Sequence, residues 1–512
     1  METNKSKKLS IKERIICNEV FTVVIIGSGN AAFCAGIAAL ENGAKVLMVE
    51  KAHEYEWGGN SRYTAGAMRF VYNSKAELLS LLKNPDEERI HITDFGSYSK
   101  EKFKADLLYF NEGEPITILQ QFLIDNSLSV IQWLSFHNVK FEPIYSRQSF
   151  LKDGKYIFWG GLTLETEGEG DGLVQAERNE YLRLGGEILY NCSAELIVQE
   201  NQTISSLEFD FEGNRMTIPC KAVVLACGGF EANKELRKKY LGEEWGNAKV
   251  RGTRHNTGKG IEMAVSLGAS LNGNFGGCHA VPMDRYMPDY GNLSIPHIER
   301  KQYRKISYLY GVMLNVKGKR FLDEGLDFRN YTYAQFGKAV LEQPQGIAWQ
   351  IFDNKTSNLL YDEYKTNVAS FVQAPTLEQL LSQLEDIDKK QAMQTLLDYN
   401  EAVSQSIPFD PTIKDGRKTK NLEINKTNWA TTLDTPPFRA YPVTAGITFT
   451  YGGVKVNVKG EVLSEKEEPI LGLYACGEMV GGIFFYGYPG GSGLTSGAVF
   501  GKAAGESAAK FV

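Results

Sequence analysis

The chain has 512 residues, 43% of them hydrophobic, enough for a large core and, at this length, about two to four domain-sized units. A formal net charge of −6 and a pI near 5.8 argue against a nucleic-acid binder, which would present a basic field. Seven scattered cysteines without a C-x-x-C pair argue against a disulfide scaffold, a zinc site or an iron–sulfur cluster and point to buried thiols in a reducing cytoplasm. The first twenty residues are polar and basic without an apolar core, and no segment reaches the roughly 18 apolar residues of a membrane span. A soluble, metal-free globular protein is the expectation.

The first element is the apolar strand Val23–Ile26, which runs into Gly27-Ser28-Gly29-Asn30-Ala31-Ala32, a small-residue helix, and a second strand ending in Glu50 and Lys51. Gly27 permits a tight strand-to-helix turn, Gly29 lets a pyrophosphate approach the backbone, and Ala32, Gly36 and Ala39 let the helix lie close on the sheet. Free amides at the helix start favour phosphate, and Glu50 stands where a carboxylate accepts from ribose hydroxyls. This order predicts a βαβ unit that binds an adenine dinucleotide. Gly58-Gly59-Asn60-Ser61 follows, then a helical stretch from Ile116 to Phe136. Gly160-Gly161 and Glu167–Gly172 read as loops, Leu173 to Leu184 as a helix, and Ala222–Ala226 as a buried strand ending in Cys227-Gly228-Gly229-Phe230.

Residues 291–440 change character, with a basic stretch, a helical run from Leu377 to Ala402 and a turn-rich segment near Pro408 to Gly416. Such a block reads as an insertion, giving a first cofactor-domain part over 1–290, an inserted domain over 291–440, and a second part over 441–512. A buried strand then ends at Cys476-Gly477-Glu478, and Gly490-Gly491-Ser492-Gly493 opens a last helix from about Leu494. A nicotinamide dehydrogenase needs no such late return to the cofactor, whereas a flavin domain does. Amides at that helix start would stabilise the negative charge that reduction places on a flavin ring.

With the N-terminal fingerprint, these pieces resemble the flavoprotein family of fumarate reductase, succinate dehydrogenase and the 3-ketosteroid dehydrogenases. The matching motifs are Gly58-Gly59-Asn60, Ala226–Phe230, Asn315–Phe321, Tyr451–Val454, and Gly477-Glu478 with the closing glycines, in family order. The resemblance implies an α/β fold, a glutathione-reductase-type FAD-binding domain interrupted by an α+β capping domain, with the active site between them. Its implied cofactor contacts are Gly27, Gly29, Asn30, Ala31, Ala32, Glu50, Lys51, Gly58, Gly59, Asn60, Ser61, Ala226, Gly228, Gly229, Gly477, Glu478, Gly493 and Leu494. Within the family, Gly276–Ala280, Asp323–Tyr331 and Tyr488–Gly497 look most like the tricarballylate dehydrogenases. That likeness implies oxidation of a CH–CH bond of a polycarboxylate, with electrons passed to a separate, membrane-associated partner. Alternatives are an enoate reductase of the fumarate reductase kind, a 3-ketosteroid dehydrogenase, and a non-catalytic FAD electron carrier.

For chemistry the resemblance points to Arg320 as proton donor, with Asp323, Glu324 or Glu299 as relays, because a guanidinium holds its proton too tightly to act alone. It points to His279 as a donor to a substrate carboxylate. Tyr488 matches a turn whose tyrosine binds a carboxylate or a ketone, and Phe449 or Thr450 stands where a fumarate reductase has a second histidine. From Arg300 to Arg320 there are seven basic residues and no acidic one; bordering a flavin cleft, such a run selects polycarboxylates. Arg329, Arg254 and Arg62 are further candidates, and Phe484-Phe485-Tyr486 keeps an apolar pocket open. Ser61-Arg62-Tyr63-Thr64 lacks the histidine used for covalent attachment in the respiratory members, so the FAD is expected to be dissociable.

Overall fold

The computed structural model describes residues 11–16, 19–158, 160–295, 303–365 and 369–511. In chain order the elements that shape the site are β1 (Phe21–Ile26), α1 (Asn30–Glu41), β2 (Val46–Val49), α2 (Ile118–Phe136), α3 (Glu169–Arg183), β3 (Glu187–Leu189), β4 (Cys192–Glu200), β5 (Thr203–Phe211), β6 (Asn214–Leu225), β7 (Cys278–Asp284), β8 (Val312–Asn315), α4 (Arg329–Leu341), β9 (Ile347–Phe352), β10 (Phe438–Thr450), β11 (Pro469–Ala475) and α5 (Ser492–Lys510).

One sheet runs β4-β5-β11-β6-β1-β2-β3. Its heart is parallel, with Val24 opposite both Val223 and Leu47, and Leu225 opposite Ala475. These strands are covered on both faces, which is why they read as unbroken apolar runs rather than as an alternation. Helices α1 and α5, from the two ends of the chain, pack against each other over this sheet. The contact is made by glycines four apart on α5: a Cβ on Gly501 would sit 2.5 Å from the Ala31 carbonyl oxygen, and one on Gly505 would sit 2.1 Å from that of Ala35. Only glycine allows the backbones so close.

The second sheet has the long strand β10 at its centre, pairing with β9, β7 and the short strands Lys249–Val250 and Val372–Ala374, while β8 pairs with β9. It does not respect the limits expected at 291 and 440. Lys249–Val250 and β7 join it from before 291, and β10 crosses 440 without a break. A composition shift marks where polar insertions begin, not where the buried strands feeding the same sheet lie. Helix α4 lies against β7, where Gly337 leaves no room for a Cβ beside Ala280.

Other local expectations change in detail. The stretch Glu167–Gly172 is loop only at its start, because α3 begins at Glu169; Gly170 is needed there, since a Cβ would fall 2.0 Å from the Ser61 carbonyl oxygen. The run Leu377–Ala402 divides into Leu377–Gln383 and Lys389–Ala402, with Asp386 left-handed between them (φ 52°). Helix α2 starts at a capping box in which the Thr117 Oγ1 accepts from the Gln120 amide at 3.1 Å. Cys34, Cys192, Cys220, Cys227, Cys278 and Cys476 are free thiols, and Cys17 lies outside the described residues. Among the described residues no helix is long and apolar enough to cross a membrane.

Gly505→Leu is expected to cost about 1–3 kcal/mol of unfolding free energy by overpacking the α1–α5 contact. A denaturant titration of the FAD-loaded protein reads this; an unchanged midpoint would mean that the contact is not a constraint.

Candidate active site

A cavity opens above the carboxyl ends of β1, β6 and β11 and is lined by Gly27, Gly29, Asn30, Ala31, Glu50 and Lys51 from the first βαβ unit. Gly59, Asn60 and Ser61 line it, as do Ala226 and Gly228, Gly477 and Glu478, and Gly493 and Leu494 at the start of α5. The expected cofactor residues therefore converge, except for three that stand behind the wall. Ala32 is buried inside α1. The Gly58 amide donates to the Ser28 Oγ at 3.0 Å, and a Cβ on Gly229 would meet the Glu478 Oε1 at 2.2 Å.

These residues fit an adenine dinucleotide carrying a flavin. Gly27, at φ 107°, turns so sharply that a Cβ would lie 2.5 Å from the Ala226 carbonyl oxygen, leaving the first turn of α1 facing the cavity. Glu50 is fixed in place by two hydrogen bonds, its Oε2 accepting from the Ser28 Oγ at 2.5 Å and its Oε1 from the Ala52 amide at 2.7 Å. Ser28, unnoticed between the two glycines, is thus the hinge between the turn, Glu50 and the Gly58 loop. Asn30 closes the ring from the other end of the chain, its Nδ2 donating to the Leu494 carbonyl at 2.9 Å.

Beyond the cofactor region the same cavity is walled by four arginines: Arg147, Arg251, Arg304 and Arg329. Arg329 stands on the first turn of α4 with Asn330 and Tyr333, where the helix dipole also favours an anion. Two of the four are neutralised by carboxylates, Arg147 by Glu165 and Arg304 by Glu363 at 2.6 Å. The other two are not. Arg251 donates to the Tyr63 carbonyl at 3.1 Å and to the Thr448 Oγ1 at 3.5 Å; Arg329 donates to the Arg147 carbonyl at 2.8 Å and lies 4.1 Å over the Tyr361 ring. Neither has a carboxylate within ion-pair distance among the described residues. Burial pushes Arg147, Arg251 and Arg329 down to about 10, with a neighbouring guanidinium adding to the effect in each case.

Tyr488 stands at the cavity. Its hydroxyl meets that of Tyr333 at 2.7 Å, and both rings line the cavity. His279 does not. It is 1% exposed on β7, stacked on Phe449 at 5.4 Å with the edges of Tyr333 and Tyr488 around it, and neither ring nitrogen has a hydrogen-bond partner. Burial, reinforced by Arg251, pushes its pKa down to about 3, so it is neutral. It backs the aromatic rings that face the cavity and does not itself line it.

Arg320 departs furthest from expectation. Its guanidinium pairs with Glu324 four residues on, donates to the Leu322 and Ile424 carbonyls, and lies 5.4 Å over Tyr399. Its side chain is 5% exposed and does not line the cavity. Desolvation is overcome by Glu324, so its pKa is raised, the wrong direction for a proton donor. Glu324 also accepts from the Met313 amide at 2.8 Å, and Asp323 caps the turn, so both serve structure; Glu299 lies outside the described residues. Of the other candidate arginines, Arg62 pairs with Asp171 at 2.6 Å and Arg254 with Glu56 at 3.1 Å, and neither lines the cavity. From the basic run, Arg304 reaches it, Lys305 is buried beside Asp284 and Glu363, and Arg300 and Lys301 lie outside the described residues.

Arg320→Met is expected to lower stability by about 3–5 kcal/mol, because it strands the buried Glu324 carboxylate. Carboxylate binding, followed through the flavin spectrum, is expected to remain near wild type. A stable variant that no longer binds carboxylates would restore Arg320 to the site.

A family model described as an FAD binding domain matches residues 22–494. The chain is 27% identical to the NADH:fumarate oxidoreductase of Klebsiella pneumoniae (strain 342), covering 96% of this chain and 48% of that protein. It is also 27% identical to a probable fumarate reductase of Shewanella frigidimarina (strain NCIMB 400), covering 96% of this chain and 75% of the relative. The chain thus spans about half of the first relative's length. Among solved structures, the open conformation of a flavocytochrome c3 fumarate reductase superposes with a TM-score of 0.71 at 25% identity, over 99% of this chain and 83% of the other.

Proposed function

The chain belongs to the FAD-binding-domain family of the fumarate reductase and succinate dehydrogenase flavoproteins, and we propose that it reduces the carbon–carbon double bond of a dianionic unsaturated acid. It is an FAD-dependent oxidoreductase; the direction and the substrate are our reading. The observation that carries it is the pair of cavity guanidiniums, Arg251 and Arg329, left without carboxylates while Arg147 and Arg304 each have one. Two desolvated, uncompensated cations are costly unless a ligand neutralises them. Two carboxylates of one substrate would do so.

That charge balance disfavours the steroid alternative, because an apolar ligand would desolvate both cations and return nothing. Phe449 and Phe484 do line the cavity, yet they stand with Tyr488 against His279 and leave the arginine wall free. The relatives named above are reductases, which favours the direction held as an alternative from the sequence over the oxidation of tricarballylate.

Bound FAD, held by the glycine turns and Glu50, supplies the hydride-transferring ring. Arg251 would receive the carboxylate whose oxygens gain charge as the double bond is attacked, where a fixed cation is most effective. Arg329, rather than Arg320, is positioned to give the proton to the other carbon: it faces the cavity, and burial together with Arg147 loosens its hold on that proton. The second carboxylate would lie beside Arg329 and offset its charge, with the Tyr333–Tyr488 hydroxyl pair donating to it as well. Electrons are expected from an electron-transfer partner, in keeping with the names of the relatives, an NADH:fumarate oxidoreductase and a flavocytochrome fumarate reductase.

Arg251→Met and Arg329→Met are each expected to lower kcat/KM for fumarate-type dianions by about 10²–10³, the usual loss when one charge-stabilising donor is removed. Arg254→Met, at an exposed pair with Glu56, should change little. Steady-state kinetics with a reduced dye as electron donor reads the series. Equal turnover of mono- and dianionic enoates by the wild type would refute the dianion assignment.

A further inference from the structure

Two acidic side chains that the reaction above does not use meet at the cavity wall, Glu478 lining it and Glu231 buried behind it. β6 and β11 are parallel neighbours, so the turns at their carboxyl ends lie side by side, and these turns carry Glu231 and Glu478. Gly229 makes room for the meeting, since a Cβ there would strike the Glu478 carboxyl. Glu231 is fully buried. Its Oε1 accepts from the side-chain amides of Asn60 and Asn256, each at 2.6 Å, while the Glu478 Oε1 accepts from the Thr450 amide at 2.7 Å and its hydroxyl at 3.0 Å. The other Glu231 oxygen, Oε2, is buried without a hydrogen-bond donor, and Glu478 is the neighbouring acid that acts on Glu231.

No lysine, arginine or histidine forms an ion pair with either acid among the described residues. Arg237, on the helix after Glu231, spends its guanidinium on the backbone carbonyls of Glu231 and Trp245, and the neighbouring Cys227 and Cys278 are buried thiols that burial keeps neutral. Two neighbouring buried carboxylates without a cation cannot both ionise, and a proton held between them would give the Glu231 Oε2 the partner it lacks. Burial raises both acids above the usual carboxylate range; the Glu478 charge adds to the rise at Glu231, while Glu231 moderates it at Glu478. Glu478, Asn60, Asn256 and Thr450 all line the cofactor cavity, so this proton sits one layer from the FAD.

We propose that Glu231 and Glu478 form a proton-binding site that holds one shared proton, whose release is linked to the redox state of the bound FAD. With the proton in place the pair carries one negative charge; releasing it to solvent leaves two. Electrons added to the adjacent cofactor oppose that release. At alkaline pH the oxidised protein therefore has the pair bare and the reduced protein has it protonated, so each two-electron reduction draws one solvent proton between Glu231 and Glu478. This inference requires bound FAD but not the dianion assignment.

The test is a potentiometric titration of the FAD-loaded protein from neutral to alkaline pH, with Glu231→Gln as the comparison. The variant keeps an acceptor for Asn60 and Asn256 and the single negative charge on Glu478, but has no shared proton to lose. Wild type is expected to gain one further proton per two electrons in the alkaline range, a tenfold shift in the oxidised-to-reduced ratio per pH unit, or about 30 mV. The variant should not. Parallel pH slopes in the two proteins would overturn the proposal. Should the variant fail to retain FAD, the reduced-minus-oxidised infrared spectrum of the wild type decides: a protonated-carboxyl band appearing on reduction at alkaline pH supports the site, and its absence overturns it.

Discussion

Everything at the site depends on how closely α1 and α5 approach. Gly501 and Gly505 press against the Ala31 and Ala35 carbonyls, and the Asn30 side chain reaches the Leu494 carbonyl. This contact places the first turns of two helices, from opposite ends of the chain, on one cavity. One end would then offer amides to the dinucleotide phosphates and the other to the ring. A single Cβ in the seam would separate the helices and, with them, the two halves of the cofactor site. The cost of four conformationally free glycines on α5 is accepted where the packing needs them.

The second sheet does a different job. Its long central strand β10 ends at Phe449 and Thr450, one facing the aromatic cluster and the other binding Glu478, so a strand of the second layer touches both cofactor and substrate regions. Helix α4, held against β7 by Gly337, delivers Arg329 and Tyr333 from its first turn. Arg251 comes from beside the short strand Lys249–Val250, and Arg147 from a segment outside both sheets. Four arginines from four places would repel one another. Glu165 and Glu363 relieve two of them, and the remaining excess of positive charge is what a dianion would complete.

Much of the cofactor site was legible because its signals are local. A strand, a Gly-x-Gly turn and a small-residue helix have one stereochemical solution, and Gly490–Gly493 before a helix is similarly constrained. Ser28 carries no signal of its own beyond a hydroxyl placed between two required glycines. The substrate side was harder for a physical reason: Arg320 and Arg329 lie nine positions apart in one stretch, and nothing short-range says which faces the cavity. Glu324, four residues after Arg320, captures the first; the second begins a helix, with Asn330 beside it and Tyr333 one turn on as the available signal. His279 has the residue type for carboxylate binding, but long-range packing puts Phe449 and Tyr488 in front of it. Arg147 and Gln148 sit in a segment with no periodicity, and only the tertiary fold brings them to the wall. The limits expected for the inserted domain failed likewise, since β7 and Lys249–Val250 join their sheet by pairing that composition does not reveal.

The central claim is that the arginine wall makes this cavity a receptor for a dianionic enoate next to FAD. The most direct measurement is made in a stopped-flow instrument without oxygen, mixing photoreduced FAD-loaded protein with fumarate and, separately, with a monoanionic enoate. The account predicts that the flavin colour returns rapidly with fumarate and much more slowly with the monoanion. Reoxidation by neither, or by both at the same rate, would contradict it.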